Sequence, residues 1–544
     1  MNRFIITFAA NIAFAFPAWT CTNLLVGKNA SADGSTMISY SADSYCLYGE
    51  LYHWPAAVYP PGTLLDIYEW DTGKPLGKIP QARQTFNVTG NMNEHQLCIG
   101  ETTFTGRPEL QDTSGILDYG SLMYIALQRC KTARDAIRTI TGLMSEHGYY
   151  STGESFSIVD KNEAWILEVI GKGPGRKGAV WVAARIPDDC ISAHANQARI
   201  HQFERNDPEN FLYSEDVVSF AREKGYFSGD DKDFSFANAY APLDFEAKRF
   251  CEARVWSFFR TFFAGAGQWV SYALGESNTP MPLYVKPDRK LSLRDMMLMM
   301  RDHYEGTPLD PTLDLGAGPF HAPVRFSSLN WMSDSVRYFF ERPIATQQTG
   351  FSFVGQMRHY LPDEVGGVLW FGTDDATFTV YTPMYASMTA VPECYRAGNG
   401  DLNHFSWTSS FWIHNWVANM AYARYDQLID DTRAVQDRLE KGFLDRQASV
   451  EARAVQLVGK SREEALAFLT EYSISEAGKV LGEWKSLGEK LLVKYMDGVV
   501  KKQDGQGGFQ STEYGRAAYP HRPPLDVGFR RRIATETGER LRLP

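Results

Sequence analysis

Residues 21–44 read CTNLLVGKNASADGSTMISYSADS, and this stretch decides the fold. Its first seven residues are mostly apolar and predict a short buried strand that starts at a cysteine. The Asp-Gly pair at residues 33–34 is a strong hairpin signal, and residues 35–40 predict the returning strand. The sequence therefore predicts an antiparallel hairpin whose first residue is Cys21.

The segment before this hairpin has the features of a signal peptide. Arg3 is the only charged residue among residues 1–20, and residues 4–16 are apolar except for Thr7 and Asn11. The run is too short to span a membrane, which takes about 20 apolar residues. A buried N-terminal strand or helix is the alternative. We expect an exported protein, periplasmic or secreted, and no later stretch is long and apolar enough to predict a membrane span.

Two routes would make Cys21 the first residue of the mature chain. Cleavage after Thr20 exposes it directly, although a β-branched residue then precedes the cut. Cleavage after Ala15 fits the small-x-small pattern better and leaves the five-residue leader 16–20 to be removed, by self-cleavage for example. Both routes end at the same N-terminus.

A cysteine at the N-terminus can act as nucleophile and as its own base. Its free α-amino group has an ordinary pKa of about 7.7–8.0 and lies a few ångströms from the thiol. The neutral amine can take the thiol proton and return it to a leaving amine, so activity should rise toward neutral pH. The alternative is an ordinary buried or disulfide-bonded cysteine near the start of an exported domain.

Three further segments, later in the chain, also carry distinctive patterns. They combine buried-strand patterns with polar residues placed at or near strand ends. They are NMNEHQLCIGETTF at residues 91–104, AWILEVIGKGPGRKGAVWVAARIPDDCISAHANQARI at residues 164–200, and a later block that runs from GGVLW at residues 366–370 to VYTPMY at residues 380–385.

Together with residues 21–44, these blocks resemble the exported dipeptidases of the cysteine N-terminal-nucleophile (Ntn) hydrolases. Penicillin V acylase and bile-salt hydrolase belong to the same wider group. The resemblance runs from Cys21 to about Gln436. It implies an α+β fold, a four-layer αββα sandwich with a helical C-terminal region. It also implies hydrolysis of an amide bond in dipeptides or short peptides through a thioester acyl-enzyme.

The resemblance assigns four site residues. Cys21 is the nucleophile and base, and Asn196 is the side chain of the oxyanion hole, where one amide donor typically contributes roughly 10²–10³ in rate. Asp43 is the acidic residue near the Cys21 amine, where it orients the ammonium or holds a substrate amine. Thr103 lies where the acylases place a second oxyanion donor. Taken alone, Asn196 also fits a turn that caps the following segment, and Asp43 fits a loop or N-cap position.

This sequence departs from the wider group at two positions. Tyr40 stands where an arginine usually lies near the thiolate, and a phenol supplies no fixed positive charge. Arg185, Arg199 and Arg342 are candidates to reach the site instead; otherwise the amine alone suffices, or the specificity differs. Gln96 stands where relatives often have glycine.

The remaining secondary structure is predicted from periodicity and capping signals. Thr132 opens a capping box, and Gly148 stops the helix that follows. Residues 156–159 and 164–170 predict a hairpin, and residues 180–186 another strand.

Two long helices are predicted toward the C-terminus. Residues 411–441 contain no Gly or Pro and carry a largely apolar stripe with steps of three or four. Residues 461–503 predict further helix, weakened by three glycines.

The predicted organisation has four parts. A Gly-, Pro- and Arg-rich tail is expected to be mobile or draped on the surface. The parts are 1–20 (signal peptide or leader), 21–405 (the αββα domain), 406–504 (a helical region packed on that domain) and 505–544 (the tail).

Composition narrows the classes of function. With 55 Lys+Arg against 65 Asp+Glu, the net charge of −10 argues against a nucleic-acid binder. The seven cysteines form no CxxC pair, and if Cys21 is unpaired the other six allow at most three disulfides. His194 and His201 are seven residues apart and do not match a metal motif. We expect no cofactor and no metal.

The sequence thus predicts a cysteine dipeptidase acting on dipeptides or short peptides. An N-acyl amide hydrolase of the penicillin V acylase or bile-salt hydrolase type is the alternative within the same fold. A non-catalytic exported binding protein held by disulfides is the alternative outside it. No nucleic-acid partner is expected, and a homo-oligomer stays open.

Overall fold

The computed structural model describes residues 21–544, so the predicted signal peptide lies outside the described residues. The strands are, in chain order, β1 (Thr22–Val26), β2 (Thr36–Asp43), β3 (His53–Trp54), β4 (Ala57–Val58), β5 (Leu64–Tyr68), β6 (Pro75–Pro80), β7 (Gln84–Thr85), β8 (Val88–Thr89), β9 (Met92–Asn93), β10 (Cys98–Thr105), β11 (Gly153–Val159), β12 (Ala164–Gly171), β13 (Ala179–Ile186), β14 (Ile191–His194), β15 (Phe211–Tyr213), β16 (Tyr284–Val285), β17 (Asn330–Ser333), β18 (Val336–Phe339), β19 (Thr349–Met357), β20 (Gly367–Thr373) and β21 (Thr382–Tyr385).

The two longest α-helices of the described chain, each of 34 residues, lie after residue 400. The α-helices are α1 (Tyr119–Arg129), α2 (Ala133–His147), α3 (Val217–Glu223), α4 (Phe236–Tyr240), α5 (Ala253–Phe262), α6 (Val270–Ala273), α7 (Leu293–Met299), α8 (Asp363–Gly366), α9 (Ser410–Tyr422), α10 (Tyr425–Val458), α11 (Arg462–Tyr495) and α12 (Val527–Thr537).

Two antiparallel sheets dominate the fold. Sheet 1 has the strand order β16-β14-β1-β2-β19-β20-β21, and sheet 2 has the order β15-β13-β12-β11-β10-β9-β8-β3. The pairs β4-β7, β5-β6 and β17-β18 form separate two-stranded ribbons. Strand β1 is therefore an inner strand of sheet 1, with β14 on one side and β2 on the other.

All of strand β1 is buried, and its last three residues are apolar because both of its faces pack in hydrophobic clusters. Leu24 and Val26 belong to the hydrophobic cluster on one side of sheet 1, and Leu25 belongs to the cluster on the other side. This alternation follows from the two-residue period of a strand. Burying each such side chain stabilises the fold by roughly 1.5–3 kcal/mol.

Three hydrophobic clusters hold the sheets and helices together. The first joins sheet 1 to helices α5, α7, α9, α10 and α11. The second lies between the two sheets, because it includes residues of β1, β2, β19 and β20 together with residues of β10, β11, β12 and β13. The third joins the other face of sheet 2 to α1 and α2.

Several predicted elements are confirmed with small shifts of their ends. The hairpin of residues 21–40 is β1 and β2, and β2 continues to Asp43. The hairpin of residues 156–170 is β11 and β12, and β13 follows it. Helix α2 begins after Thr132, whose hydroxyl accepts the backbone N–H of Asp135, and it ends at Gly148 with a φ of 82°.

The helix predicted for residues 411–441 is wrong in one respect, because it is two helices. Helix α9 ends at Tyr422, and Arg424 leaves the helical conformation with φ −149° and ψ 56°. The guanidinium of Arg424 donates to the carbonyl oxygens of Tyr495 (2.9 Å) and Val499 (3.3 Å). This contact with the end of α11 fixes the break, a long-range interaction that periodicity does not reveal.

The second predicted helix, residues 461–503, is too long at its C-terminal end. Helix α11 stops at Tyr495, and Asp497 and Gly498 take positive φ values of 53° and 76°. Its internal glycines do not break it. Gly488 allows close packing, because a Cβ there would lie 2.3 Å from the Trp416 ring.

The region after residue 405 packs on sheet 1 through α9 and α11, which contact β20 and β21. In the tail, α12 has no buried residue. No helix of the described chain is long and apolar enough to cross a membrane. The proposed division at residues 405 and 504 stays a prediction.

His194 on β14 connects the two sheets. Its Nδ1 is 2.7 Å from the Thr102 hydroxyl on β10, and its Nε2 is 2.7 Å from the Ser157 hydroxyl on β11. Burial, assisted by the nearby charges of Arg199 and Arg254, lowers the pKa of His194 to about 3. Both ring nitrogens already have hydroxyl partners, as the imidazole of a buried neutral histidine requires.

Acid should destabilise the fold through His194. An unfolded histidine binds its proton near pH 6.5, whereas folded His194 resists protonation down to about pH 3. The unfolded state therefore gains protons first as the pH falls, and the free energy of unfolding drops. Between pH 6.5 and 5 we expect wild type to lose about 1.5 kcal/mol more than His194→Gln, measured by urea unfolding. Parallel pH dependences would contradict this.

Candidate active site

Strand pairing brings Cys21 opposite Asn196. On the β1–β14 pair, Asn23 lies opposite His194 in antiparallel register. Continuing this register by two residues places Cys21, at the start of β1, across from Asn196, just beyond β14. The two residues are 175 positions apart in the sequence and meet because the start of β1 lies beside the end of its antiparallel partner β14.

The other neighbour of β1 brings Asp43 to the same place. Thr22 lies opposite Ser41 on β2. One further step along both strands places Cys21 beside the last residues of β2, and Asp43 is the final one. Three of the four predicted site residues therefore gather at one end of sheet 1.

The Cys21 thiol lies in an acidic, buried environment and is 6% exposed. Its Sγ is 3.6 Å from Glu101 Oε1 and 3.8 Å from the Tyr40 hydroxyl. Burial and then the charges of Glu101 and Asp43 raise the pKa of the thiol well above its ordinary value, and the Asp43 backbone and the Tyr40 hydroxyl offset part of the rise. The thiol is therefore protonated at neutral pH, and a base must remove its proton before it attacks.

Arg254 on α5 contacts both sides of the site. Its Nη1 donates to the carbonyl oxygen of Cys21 (2.6 Å) and to the hydroxyl of Thr22 (2.7 Å). Its Nη2 donates to the carbonyl oxygen of Ala195 (3.1 Å) and to Oδ1 of Asn196 (2.9 Å). The planar fork of one buried guanidinium thus fixes the nucleophile's backbone and the Asn196 amide together.

The amide of Asn196 has a defined orientation. Arg254 donates to its Oδ1, and its Nδ2 donates to the carbonyl oxygen of Thr103 at 2.8 Å. An amide nitrogen carries two hydrogens, so the second N–H is available to a developing oxyanion. Thr103 contacts Asn196 through its carbonyl, and its hydroxyl donates to Glu154 at 2.9 Å. The oxyanion roles of both residues stay predictions.

Asp43 is a fully engaged carboxylate. Oδ2 accepts from Arg342 Nη2 at 2.6 Å and from the Ser41 hydroxyl at 3.0 Å, and Oδ1 accepts from the Thr349 hydroxyl at 2.6 Å. Burial raises the pKa of Asp43, and Arg342 and the Thr349 hydroxyl oppose that rise. The Arg342 pair holds the carboxylate in place beside the nucleophile.

None of the three candidate arginines contacts the Cys21 thiol in place of the arginine that Tyr40 replaces. Arg185 pairs with Asp188 at 2.8 Å, and Arg199 pairs with Glu252 at 2.9 Å. The third candidate, Arg342, binds the Asp43 carboxylate described above. The thiol therefore faces a phenol and a carboxylate, Tyr40 and Glu101.

Glu101 and Glu154 form a buried carboxyl pair next to the thiol. Glu101 Oε2 and Glu154 Oε1 have no hydrogen-bond partner within residues 21–544 unless the two carboxyls share a proton. Burial, followed by the charge of Glu101, raises the pKa of Glu154 well above its ordinary value. We therefore place the proton on Glu154 and the negative charge on Glu101.

Sequence reasoning missed Glu101 and Arg254 as site residues. Each carries a weak signal: Glu101 interrupts the buried strand 98–104, and Arg254 lies in the aromatic helix segment ARVWSFF. A charged residue inside an apolar strand or helix is buried only when it is paired or functional. Which of the two applies depends on contacts between distant segments.

Gln96 is not among the residues that contact the thiol, and its role is structural. It has a φ of 65°, a conformation that glycine adopts without strain. Its side chain compensates by accepting the backbone N–H of Arg358 (2.7 Å) and donating to Asp363 (3.2 Å). These contacts explain how a glutamine is held where relatives often have glycine.

All seven cysteines lie in the described part of the chain, and none forms a disulfide there. His201 Nδ1 is 3.0 Å from the Ser235 hydroxyl, so this ring, like that of His194, contacts a hydroxyl rather than the other histidine. Residues 21–544 contain no cluster of His, Cys, Asp and Glu that could hold a metal ion.

The sequence model of peptidase family C69 matches residues 20–53 and 50–438. The chain belongs to peptidase family C69. Among curated relatives, the probable dipeptidase of Latilactobacillus sakei is 25% identical over 425 residues, which cover 74% of this chain and 81% of the relative. Dipeptidase A of Lactobacillus helveticus is 24% identical over 433 residues, which cover 74% and 82%. The dipeptidase of Bifidobacterium longum is 24% identical over 413 residues, which cover 68% and 72%.

The C69 match confirms the family resemblance and its extent. It starts one residue before Cys21 and ends at residue 438, within α10 and close to the end expected from the sequence motifs. The groups that contact the thiol all lie inside the matched range, and α11 lies outside it.

Proposed function

We propose that this family C69 chain is an exported cysteine dipeptidase whose nucleophile is Cys21, exposed as the first residue of the mature chain. The observation that carries the proposal is the meeting of Cys21, Asn196 and Asp43 at one end of sheet 1, with Arg254 joining two of them. The names of the family relatives support a dipeptide or short peptide as the substrate.

The finer fold assignment belongs to the same proposal. The two sheets and their helices form the αββα sandwich of the Ntn hydrolases. Support comes from the three hydrophobic clusters, which lie between α-helices and sheet 1, between the sheets, and between sheet 2 and α-helices. The end of β1 then presents the nucleophile at one end of this sandwich.

Removal of the residues before Cys21 changes the chemistry of the thiol. While a peptide bond precedes Cys21, its nitrogen is an amide and cannot act as a base. Cleavage converts it into an α-amine with a pKa of about 7.7–8.0, close to the working pH. Because burial keeps the thiol protonated, this amine supplies the base that the site requires.

Acylation then proceeds in two steps, formation and collapse of a tetrahedral intermediate. The neutral amine takes the Sγ proton, sulfur forms a bond to the scissile carbonyl carbon, and the carbonyl electron pair moves to oxygen. The free N–H of Asn196 donates to this oxyanion, with the backbone of Thr103 as a second donor. The tetrahedral intermediate collapses as the C–N bond breaks, and the ammonium proton passes to the departing amine.

Deacylation repeats these two steps with water as the nucleophile. The Cys21 amine takes a proton from water as oxygen attacks the thioester carbon. The C–S bond breaks, sulfur recovers the proton, and the acid product leaves. Asp43, already held by Arg342, stabilises the ammonium form of the amine between these transfers.

Intact-mass measurement and a substrate panel test the proposal together. We expect a mature chain of 524 residues, the 544 of the full sequence less the first 20. We also expect turnover of unblocked dipeptides to exceed that of penicillin V and of bile-acid amides by at least about 100-fold, a difference of about 2.7 kcal/mol. A fully active chain that keeps residues before Cys21 would rule out the mechanism. Faster hydrolysis of N-acyl amides would favour the alternative activity.

A further inference from the structure

We propose that Glu101 binds the free α-ammonium group of the substrate and so selects peptides with an unblocked N-terminus over N-acylated amides. The inference rests on the proposed dipeptidase function and adds a specificity-determining residue that contacts the substrate. It would make the carboxylate beside the thiol part of the binding site.

Glu101 reaches the nucleophile from the opposite sheet. It lies within β10 of sheet 2, and its backbone carbonyl accepts the Asn23 side-chain amide of β1 at 2.6 Å. This contact between the sheets fixes the strand from which the carboxylate projects. Its Oε1 is 3.6 Å from the Cys21 Sγ and accepts the Tyr40 hydroxyl at 2.5 Å.

The distance between Glu101 and the thiol suits a substrate ammonium. In any peptide the α-nitrogen lies about 2.5 Å from the carbonyl carbon of the same residue, from standard bond lengths and angle. An attacking sulfur approaches that carbon to about 3–3.5 Å. When the scissile bond is that of the N-terminal residue, its ammonium therefore lies within about 6 Å of Sγ. A carboxylate oxygen 3.6 Å from Sγ is within hydrogen-bonding reach of that region.

The charge on Glu101 is not balanced by a protein cation. Within the described chain, the donors to its Oε1 are the Tyr40 hydroxyl and the Cys21 thiol, and neither is a cation. Burial raises the pKa of Glu101, and the hydrogen bonds with Glu154, Tyr40 and Cys21 oppose that rise. A buried carboxylate without a cation is costly, and an ammonium ligand would relieve that cost.

Asp43, the other carboxylate near the thiol, is a weaker candidate for this role. Its two oxygens already accept three donors from the protein, one of them the Arg342 guanidinium. In the proposed mechanism Asp43 also stabilises the ammonium form of the Cys21 amine, so a substrate ammonium would be a third cation beside this one carboxylate. Glu101 has neutral donors instead, from the hydroxyl of Tyr40 and the thiol of Cys21.

The same arrangement explains why an arginine is absent at position 40. A guanidinium there would neutralise Glu101, whereas the phenol of Tyr40 donates a hydrogen bond and leaves the negative charge in place. An N-acylated substrate brings a neutral amide to this carboxylate. A site built around a charged partner discriminates strongly against a ligand that lacks it, because the buried group is then left unpaired.

The test pairs one variant with two substrates. The probes are the unblocked dipeptide that mature wild type turns over fastest and its des-amino analogue, in which hydrogen replaces the α-ammonium. For wild type we expect kcat/KM to favour the dipeptide at least about 1,000-fold. Glu101→Gln should lower the ratio of kcat/KM for the dipeptide to kcat/KM for the analogue at least about 100-fold, whatever its effect on the thiol common to both reactions. Equal losses for both substrates would overturn the proposal.

Tyr40→Phe is the matched control variant. It removes the hydroxyl that donates to Glu101 but keeps the carboxylate, so the preference for the dipeptide should stay within about threefold of wild type even if turnover falls. A loss of preference as large as that in Glu101→Gln would overturn the proposal, because the phenol would then be what distinguishes the substrates.

A binding measurement covers the case in which Glu101→Gln fails to fold. Cys21→Ala, produced with residue 21 as its first residue and titrated calorimetrically, should bind the dipeptide at least about 30-fold more tightly than the des-amino analogue. Equal affinities would overturn the inference while leaving the dipeptidase proposal standing. That proposal fails on a different observation, namely wild type that turns over no dipeptide.

Discussion

Cys21→Ala should lower dipeptide hydrolysis by a factor of roughly 10⁴ or more, comparable to the removal of other catalytic nucleophiles. The substitution leaves the rest of the site in place, because Arg254 contacts the carbonyl oxygen of residue 21 and not its side chain. The variant should therefore fold and bind substrate while failing to form the thioester. The measurement is kcat/KM of the purified mature protein on a dipeptide.

Cys21→Ser should retain at most a trace of activity. The hydroxyl is a poorer nucleophile than the thiol at its free pKa, even with the same α-amine as base. Cys46→Ser is the matched control, because Cys46 is an exposed cysteine and is absent from the contacts described above. It should keep full activity. Cys21→Ala that turns over dipeptides at a tenth of the wild-type rate would contradict the assignment of the nucleophile.

The same variants show how the N-terminus is produced. If the chain removes a short leader itself, intact mass of Cys21→Ala should still include residues before position 21, because the attacking group is gone. If a signal peptidase cuts after Thr20, the alanine variant should begin at residue 21 like wild type. Either outcome is compatible with Cys21 as the nucleophile. The intact mass therefore tests the route of maturation, and the rate tests the identity of the nucleophile.

Local patterns predicted much of the fold because they reflect local physics. The Asp33-Gly34 turn and the alternation of Leu24, Leu25 and Val26 specify the β1–β2 hairpin without reference to the rest of the chain. The break at Arg424 was not predictable in this way. It depends on a contact with the end of a helix some 70 residues later in the chain.

The candidate site divides along the same line. Cys21, Asn196 and Asp43 were predicted because their segments resemble those of a known family, and the structure brings the three together at one end of sheet 1. Their catalytic roles stay predictions. Glu101 and Arg254 were missed because their roles depend on distances across the fold. Glu101 reaches the Cys21 thiol from sheet 2, and Arg254 reaches the Cys21 carbonyl oxygen from α5. A single sequence shows that both are charges in apolar segments, but not what they contact.

Arg254→Lys should slow turnover by roughly 10²–10³-fold, the range expected when one oxyanion donor is misplaced. Lysine keeps the positive charge but has no planar fork, so it cannot donate to the Cys21 carbonyl and the Asn196 Oδ1 at once. Asn196 would then lose its orientation. The rate at which iodoacetamide alkylates Cys21 should stay within about threefold of the wild-type rate, and KM should change little. Both follow because the substitution weakens transition-state stabilisation and leaves the thiol unchanged.

Arg301→Lys controls for the cost of losing any buried guanidinium. Arg301 is buried, as Arg254 is, and donates to Glu440 and to the carbonyl oxygens of Ala376 and Thr379, away from Cys21. Both variants should lower the free energy of unfolding by a few kcal/mol, since each leaves buried acceptors unpaired. Only Arg254→Lys should lower kcat per folded molecule. Equal losses of kcat in the two variants would mean that Arg254 acts through stability alone. An unchanged kcat in Arg254→Lys would mean that the orientation of Asn196 by Arg254 does not contribute to catalysis.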